Sequence, residues 1–426
     1  MSDTEKMTID ERRKYLRMMK KRYVKASRKI KGQLLDEMEA VTGLKRKTLI
    51  RLMRGSLARK PRSKQRGRVY GPSVDDALRV IYESCDYICA ERLTPNLAWM
   101  ACHLAAHGEL DVTPEVVEQL GQISISTVER RLRHLRQDQP RLPRPKPKPR
   151  SKLLRSIPML RLPWTLPEPG HLEADLVHHC GERAAGEYVC TLQMVDVATG
   201  WSERRAVLGR SFLVMEDAFR HILARLPFPV LEIHPDNGSE FFNHHMVRFW
   251  GDIVQGVTLS RSRPFHKNDN PRVEQKNYTL VRAYLGYERL DTVAQTLALN
   301  LLYDKMGLYY NFFQPVMHLI DKKMLQEDGQ PARVKRYHDE ARTPFDRLCE
   351  TDAILPEHRE QLEALRASLN PRRLRQEIYE DLDHLFTLPG ALPGATENVH
   401  LTLAQNREKE NHDDLNLTFN RTAIRT

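Results

Sequence analysis

Two kinds of hydrophobic spacing divide the chain. In residues 31–136 apolar positions recur every three or four residues, as in helices with one buried face. Residues 31–41 line up Leu34, Leu35, Met38 and Val41. Thr42-Gly43 interrupts the stripe, and residues 45–54 resume it with Leu49, Leu52 and Met53 inward. Residues 74–90 and 95–107 predict two more helices. Another starts near Ser126, with Val128, Leu132 and Leu135 on one face. Ser126, followed three residues later by Glu129, has the form of a capping box. Residues 11–25 are a basic run, helical or partly disordered.

From residue 171 the pattern changes to strands. Residues 171–177, 188–196 and 201–207 alternate with short turns at 181–186 and 198–200, which predicts an antiparallel meander. A helix over 212–226, a strand over 230–233, a helix over 241–253 and a strand over 257–260 follow. Residues 261–270 read as a polar loop. Pro271 suits the first turn of a helix running toward residue 284. Residues 293–303 predict an apolar helix. The aromatic cluster Tyr303, Tyr309, Tyr310, Phe312 and Phe313 reads as packing rather than base stacking. Residues 355–385 predict helices rich in paired charges, and the polar stretch after Pro389 a poorly ordered tail.

Charge adds a partner to this picture. The 426-residue chain has a net charge of +12, but residues 1–70 hold 23 Lys and Arg against 7 Asp and Glu. That local surplus exceeds the total, so the remainder is net negative. Residues 141–155 add seven basic residues and no acid. Basic segments on a more neutral body point to a polyanion and to salt-dependent binding.

The pair 31–41 and 45–54 fits a helix-turn-helix, with Lys45, Lys47, Arg51 and Arg54 outward, or a plain helical hairpin with a solvated basic face. The helix after residue 124 carries Arg130, Arg131, Arg133 and Arg136 and reads as a second recognition helix. Its basic side chains would mainly grip phosphate. The Pro-alternating stretch 140–155 predicts an extended spacer that tracks a DNA backbone, or only a solvated tether.

No apolar run reaches membrane-spanning length, and the first residues lack a signal peptide's apolar segment. A cytosolic, nucleoid-associated protein without a membrane partner is expected. Its six cysteines are then reduced thiols. Cys85 and Cys89 have helical spacing. His178-His179-Cys180 with Cys190 falls on two strands and a turn, which argues against a zinc site.

Candidate chemistry lies in three acidic residues. Asp236 ends the strand in Ile233-His234-Pro235-Asp236-Asn237-Gly238-Ser239-Glu240-Phe241, where Asn237-Gly238 is a turn pair. Asp175 ends the run from His171. Glu274 follows Asp236 by 38 positions, within Asn268-Asp-Asn-Pro-Arg-Val-Glu274-Gln-Lys-Asn277. Strand aspartates with a helix glutamate make an oxygen-rich site for hard divalent cations. Two such ions can serve both sides of a phosphodiester displacement. Asp269 is a rival third ligand, and Glu240 reads as a helix N-terminal charge.

These motifs resemble the catalytic core of DDE transposases in the retroviral integrase superfamily, and more narrowly bacterial insertion-sequence transposases. The resemblance is densest over residues 165–290. Helix-turn-helix segments before it and Tyr310-Asn-Phe-Phe-Gln-Pro315 after it extend the likeness. It implies Asp175, Asp236 and Glu274 as catalytic metal ligands for two Mg2+ or Mn2+ ions. It also implies DNA contacts from Asn237, Lys267, Asn268, Asn270, Lys276 and Asn277, with His234 orienting the site or touching DNA. Lys276, two positions beyond Glu274, points off that helix face. The implied activity is cleavage at transposon ends and transfer of the freed 3′ hydroxyl to target DNA.

The fold expected is mixed α+β and multidomain. Helical helix-turn-helix regions at 1–70 and 71–138 precede a linker at 139–165. An RNase H-like α/β/α core with a mixed five-stranded sheet spans 166–290, a helical extension 291–388 and a tail 389–426. Partners would be double-stranded DNA and, on DNA, further copies of the chain, at least a dimer. Another RNase H-like metal nuclease, or an inert DNA-binding regulator, are the alternatives. An RNA-binding scaffold lacks a stacking-aromatic motif.

Overall fold

The computed structural model describes residues 7–57, 70–135, 168–183, 185–235, 249, 257–260, 270–325, 333–392, 395 and 397–403. The chain divides into two units, Met1–Val69 and Tyr70–Thr426.

The first unit is three helices: α1 (Ile9–Lys25), α2 (Arg28–Thr42) and α3 (Arg46–Arg54). Thr8 and Glu11 cap α1 reciprocally, so the basic run is helical from its first turn. Leu16 and Met19 of α1 meet Leu34, Leu35 and Met38 of α2 and Leu49 and Met53 of α3 in one small core. Gly43 closes α2 at φ 67°, its N–H donating to the Glu39 carbonyl. That left-handed residue is what the turn before α3 requires.

The second unit opens with α4 (Pro72–Ser84), α5 (Ala90–Leu93), α6 (Leu97–Ala106), α7 (Pro114–Gln122) and α8 (Ile125–Leu132). Two expectations change here. The helix anticipated over 74–90 stops at Ser84, because Asp86 and Tyr87 take positive φ. Buried Asp86 is held there by Arg375 (3.1 Å) and the Tyr379 hydroxyl (2.8 Å). Cys85 and Cys89 therefore do not share a helix. The α8 cap is Ser124, whose Oγ accepts from the Thr127 N–H, and not Ser126. Glu129 pairs instead with Arg133.

A mixed five-stranded sheet follows, in the order β3-β2-β1-β4-β5. Its strands are β1 (His171–His178), β2 (Val189–Asp196), β3 (Ser202–Leu208), β4 (Glu232–Pro235) and β5 (Thr258–Leu259). The meander is antiparallel as expected, with Asp175 opposite Gln193 and Gln193 opposite Arg204. β4 runs parallel to β1, pairing Ala174 with Pro235, and β5 parallel to β4. Gly170 (φ 114°) makes the β1–β4 start possible: a Cβ there would lie 2.5 Å from the Pro229 carbonyl oxygen.

Every residue of β2 and β3 is buried. α9 (Phe212–Arg225) and the 21-residue α11 (Val293–Phe313) pack on β3. β3 is the sheet's outer strand, and unpaired edges invite association. Two α11 amides occupy this one. Asn300 accepts from the Ala206 N–H and donates to its carbonyl, and Asn311 does the same at Ser202. α11 runs ten residues beyond the expected stop at 303, carrying the aromatic cluster into the core.

Between β5 and α11 lies α10 (Pro271–Lys276), continued by a wider π-helical turn (Asn277–Arg282) and Ala283–Leu285. The extension after residue 291 is not all helical. Before α12 (Pro344–Cys349), α13 (Pro356–Ser368) and α14 (Pro371–Thr387) it forms an antiparallel ribbon of β6 (Leu319–Leu325) and β7 (Arg333–His338). One hydrophobic cluster runs from Val74 through the sheet to Leu385, so α4–α8 share a core with the sheet. No helix among the described residues is long and apolar enough to cross a membrane.

Candidate active site and nucleic-acid interface

α10 is docked on β1 by side chains at both of its ends. Its first turn has orphan N–H groups, as every helix does. Pro271 has none to satisfy, and the Arg272 and Val273 N–H groups donate to Glu173 Oε2 at 2.8 and 2.9 Å. Glu173 thus caps the helix from a neighbouring strand. Its side chain is buried, which pushes its pKa up, against the pull of the two amides and the Arg272 guanidinium 3.5 Å away. One turn on, Asn277 Nδ2 donates to Asp175 Oδ2 at 2.6 Å. Asp175 Oδ1 accepts from the Leu176 N–H at 2.8 Å.

Glu173 and Asp175 are two apart on a strand and so share a face. Glu274 and Asn277 are three apart on the helical segment, and so are neighbours on its surface. Asp175 is half-buried and Glu274 exposed. The sequence reading missed Glu173; its place two residues before Asp175, facing the same way, was the available signal.

Asn270, expected to touch DNA, is buried, and its Nδ2 donates to the His234 carbonyl at 3.3 Å. His234 in turn pairs its Nδ1 with Ser260 Oγ at 2.6 Å. These contacts tie the start of α10 to β4 and β5. Asn277 is likewise buried. Lys276 is half-buried and lies in the field of Arg204 and Arg92. Burial first, then those two cations, lowers its pKa to about 7. Asp236, Asn237, Lys267, Asn268, Asp269, Glu240 and the helix expected over 241–253, apart from residue 249, lie outside the described residues. So do Arg136 and the basic linker.

Metal-holding geometry needs all three acids. Among the described residues no three His, Cys, Asp or Glu side chains gather to hold an ion. Beside Asp175, buried Asn277 Oδ1 and Gln193 Oε1 find no donor among the described residues. Carboxylate and amide oxygens are the ligand types that suit Mg2+ and Mn2+.

The basic side chains of the helices separate into exposed and engaged ones. In the first unit Lys45, Lys47, Arg51 and Arg54 are all exposed. An open recess beside α1, lined by Arg17, Lys20, Lys21 and Lys25, adds further positive charge to that unit. On α8, Arg130 is exposed and Arg133 pairs with Glu129. Arg131 turns inward: it binds the Asp75 carboxylate, donates to the Tyr70 carbonyl at 3.0 Å and covers the Tyr70 ring.

No protein-family model matches the chain. Two solved structures overlap it partially. The catalytic core domain of BIV integrase is 19% identical over 34% of this chain and 85% of that one, with a TM-score of 0.25. A simian T-cell lymphotropic virus intasome in complex with PP2A regulatory subunit B56 gamma is 15% identical over 51% of this chain and 69% of that one, with a TM-score of 0.28. Overlaps this partial do not bear on function. An uncharacterized protein, y4rM of Sinorhizobium fredii, is 37% identical over 319 residues, 74% of this chain and 89% of its own length. By that likeness the chain belongs to the same family as y4rM.

Proposed function

We propose that the chain is a DDE-type DNA transposase that cuts DNA at transposon ends and joins the freed 3′ hydroxyl to a target. The observation that carries this reading is the docking of α10 on β1 beside the parallel β1–β4 pair. Asn277 holds Asp175 one turn from Glu274. Ala174 pairs with Pro235, and residue 236 follows by one peptide link of about 3.8 Å. Asp175 and Glu274 thus branch from neighbouring elements at one end of the sheet, and Asp236, which lies outside the described residues, follows β4 directly in sequence.

The three carboxylates would hold one or two Mg2+ or Mn2+ ions, which when bound supply Lewis-acid polarisation of phosphodiester oxygens. Asn277 orients Asp175 and keeps its charge compensated by a hydrogen bond. Glu173 fixes the pitch and height of the helix that presents Glu274. Exposed Lys45, Lys47, Arg51, Arg54 and Arg130 would neutralise DNA phosphates. A homo-oligomer of at least two chains would bring two DNA ends together.

The test uses a duplex with a recessed 3′ hydroxyl, a plasmid target and Mg2+, with Asp175→Asn, Asp236→Asn and Glu274→Gln made singly. Each variant is expected to lose joining while retaining DNA affinity. Joining that survives any one substitution takes that residue out of the site. Hydrolysis without joining in the unaltered chain would favour the nuclease alternative, and no metal-dependent chemistry would favour the inert regulator.

A further inference from the structure

We infer that the β6–β7 ribbon is a DNA-docking arm, laid into the groove of a duplex beside the candidate active site. The inference rests on the reading that the chain works on DNA, and extends it to a surface outside the motif and the basic helices.

The ribbon is a separate two-stranded sheet. Every described side chain from Ile320 to Met324 and from Val334 to His338 is exposed. Its register sets Lys322 opposite Arg336 and Lys323 opposite Lys335. Like charges directly opposite each other destabilise a strand pair, and an isolated two-stranded ribbon has little stability to spare. The Lys323–Lys335 pair, offset only in part by Asp321 3.9 Å from Lys323, is rational where a polyanion lies across that face of the ribbon. Tyr337 carries Lys335 over its ring at 4.9 Å and Lys323 at 5.4 Å, so an exposed ring holds both ammonium groups on the same face. Met324 opposite Val334, both exposed, lies on the ribbon's other face. The major groove is about 12 Å wide and admits a two-stranded ribbon whose strands are about 4.8 Å apart.

The ribbon's root is rigid although its faces are open. Arg347 donates to Asp339 at 2.7 Å and to the Val316 carbonyl at 2.9 Å, and Arg92 donates to the Pro315 carbonyl at 2.6 Å. His318 at the root lies in the field of Arg272 and Lys276 of α10. The arm therefore springs from beside the helix that carries Glu274.

The test compares the full chain with Lys323→Ala/Lys335→Ala on a mixed-sequence DNA duplex over a range of salt. The slope of log affinity against log salt should fall by about 1.8, two contacts at about 0.9 each, with affinity down at least about tenfold at moderate salt. A second variant, Met324→Ser/Val334→Ser on the other face, should leave both affinity and slope unchanged. Melting temperature and circular dichroism identify any misfolded variant, for which single substitutions of the same residues replace the double. An unchanged slope and affinity in the lysine variant overturns the arm. So does a loss confined to duplex RNA or to vesicles of anionic lipid. Asp175→Asn with an intact ribbon should keep the full slope, so failure of the carboxylate site and failure of the arm give different results.

Discussion

Asn277 Nδ2 stands 2.6 Å from Asp175 Oδ2, and this bond joins the helix of Glu274 to the strand of Asp175. Side chains that orient a ligating carboxylate typically contribute 10- to 100-fold to metal affinity or activity. Asn277→Ala should cost about that factor in metal-dependent cleavage, while DNA affinity changes little. Asn277→Asp should be worse, since it sets a second negative charge against Asp175. Cleavage rates titrated with Mg2+ and Mn2+ measure the effect. An Asn277→Ala chain with the parent's metal dependence would make the bond merely structural.

Glu173 is predicted to matter for stability and activity together. Glu173→Ala leaves two helix-end N–H groups without their acceptor, at about 1–3 kcal/mol, read from urea denaturation. Glu173→Gln keeps an acceptor oxygen and should lose less. The pH dependence has a definite sign. Burial raises the folded pKa above that of the unfolded chain. The folded state therefore binds the proton more tightly, and stability falls as pH rises from the ordinary glutamate value through the raised one. Glu173→Gln should remove that slope.

What the sequence made legible follows from how local each signal is. The meander, its antiparallel pairing and the α2–α3 turn at Gly43 depend on residues a few positions apart, and each appears where the pattern put it. The break after Ser84 does not: Asp86 and Tyr87 are held by Arg375 and Tyr379, far along the chain, with Asp86 separated from them by 289 and 293 positions. The ribbon escaped notice because its strands, Leu319–Leu325 and Arg333–His338, mix charged and apolar residues without regular alternation and lack a buried side to mark them. For the proposed site, the motif singles out Asp175 and Glu274 in the sequence, but the contacts of Glu173 with α10 and of Asn277 with Asp175 needed the packing of α10 on β1.

Arg130 and Arg131 are adjacent on α8 and should separate cleanly on substitution. Arg130 is exposed and Arg131 is engaged with Asp75 and Tyr70. Arg130→Ala should lower the salt dependence of DNA binding by about one unit without a change in stability. Arg131→Ala should cost about 1 kcal/mol of stability and leave the salt slope unchanged. Reversal of that order would show α8 meeting DNA through its other face.

Lys276 offers a prediction in pH. Its pKa of about 7 lies well below the unfolded lysine value of about 10.4. Between those values the unfolded chain carries the extra proton, so stability rises with pH across the window. Lys276→Met should raise the melting temperature most near pH 7 and converge with the parent near about pH 10. Binding of a DNA phosphate would reward the charged form and draw a proton onto the amine. The affinity lost in Lys276→Met should therefore grow as pH is lowered from about 9 to about 6. A loss that stays constant over that range would place the lysine's effect in packing against Arg204 and Arg92, with no phosphate at its ammonium.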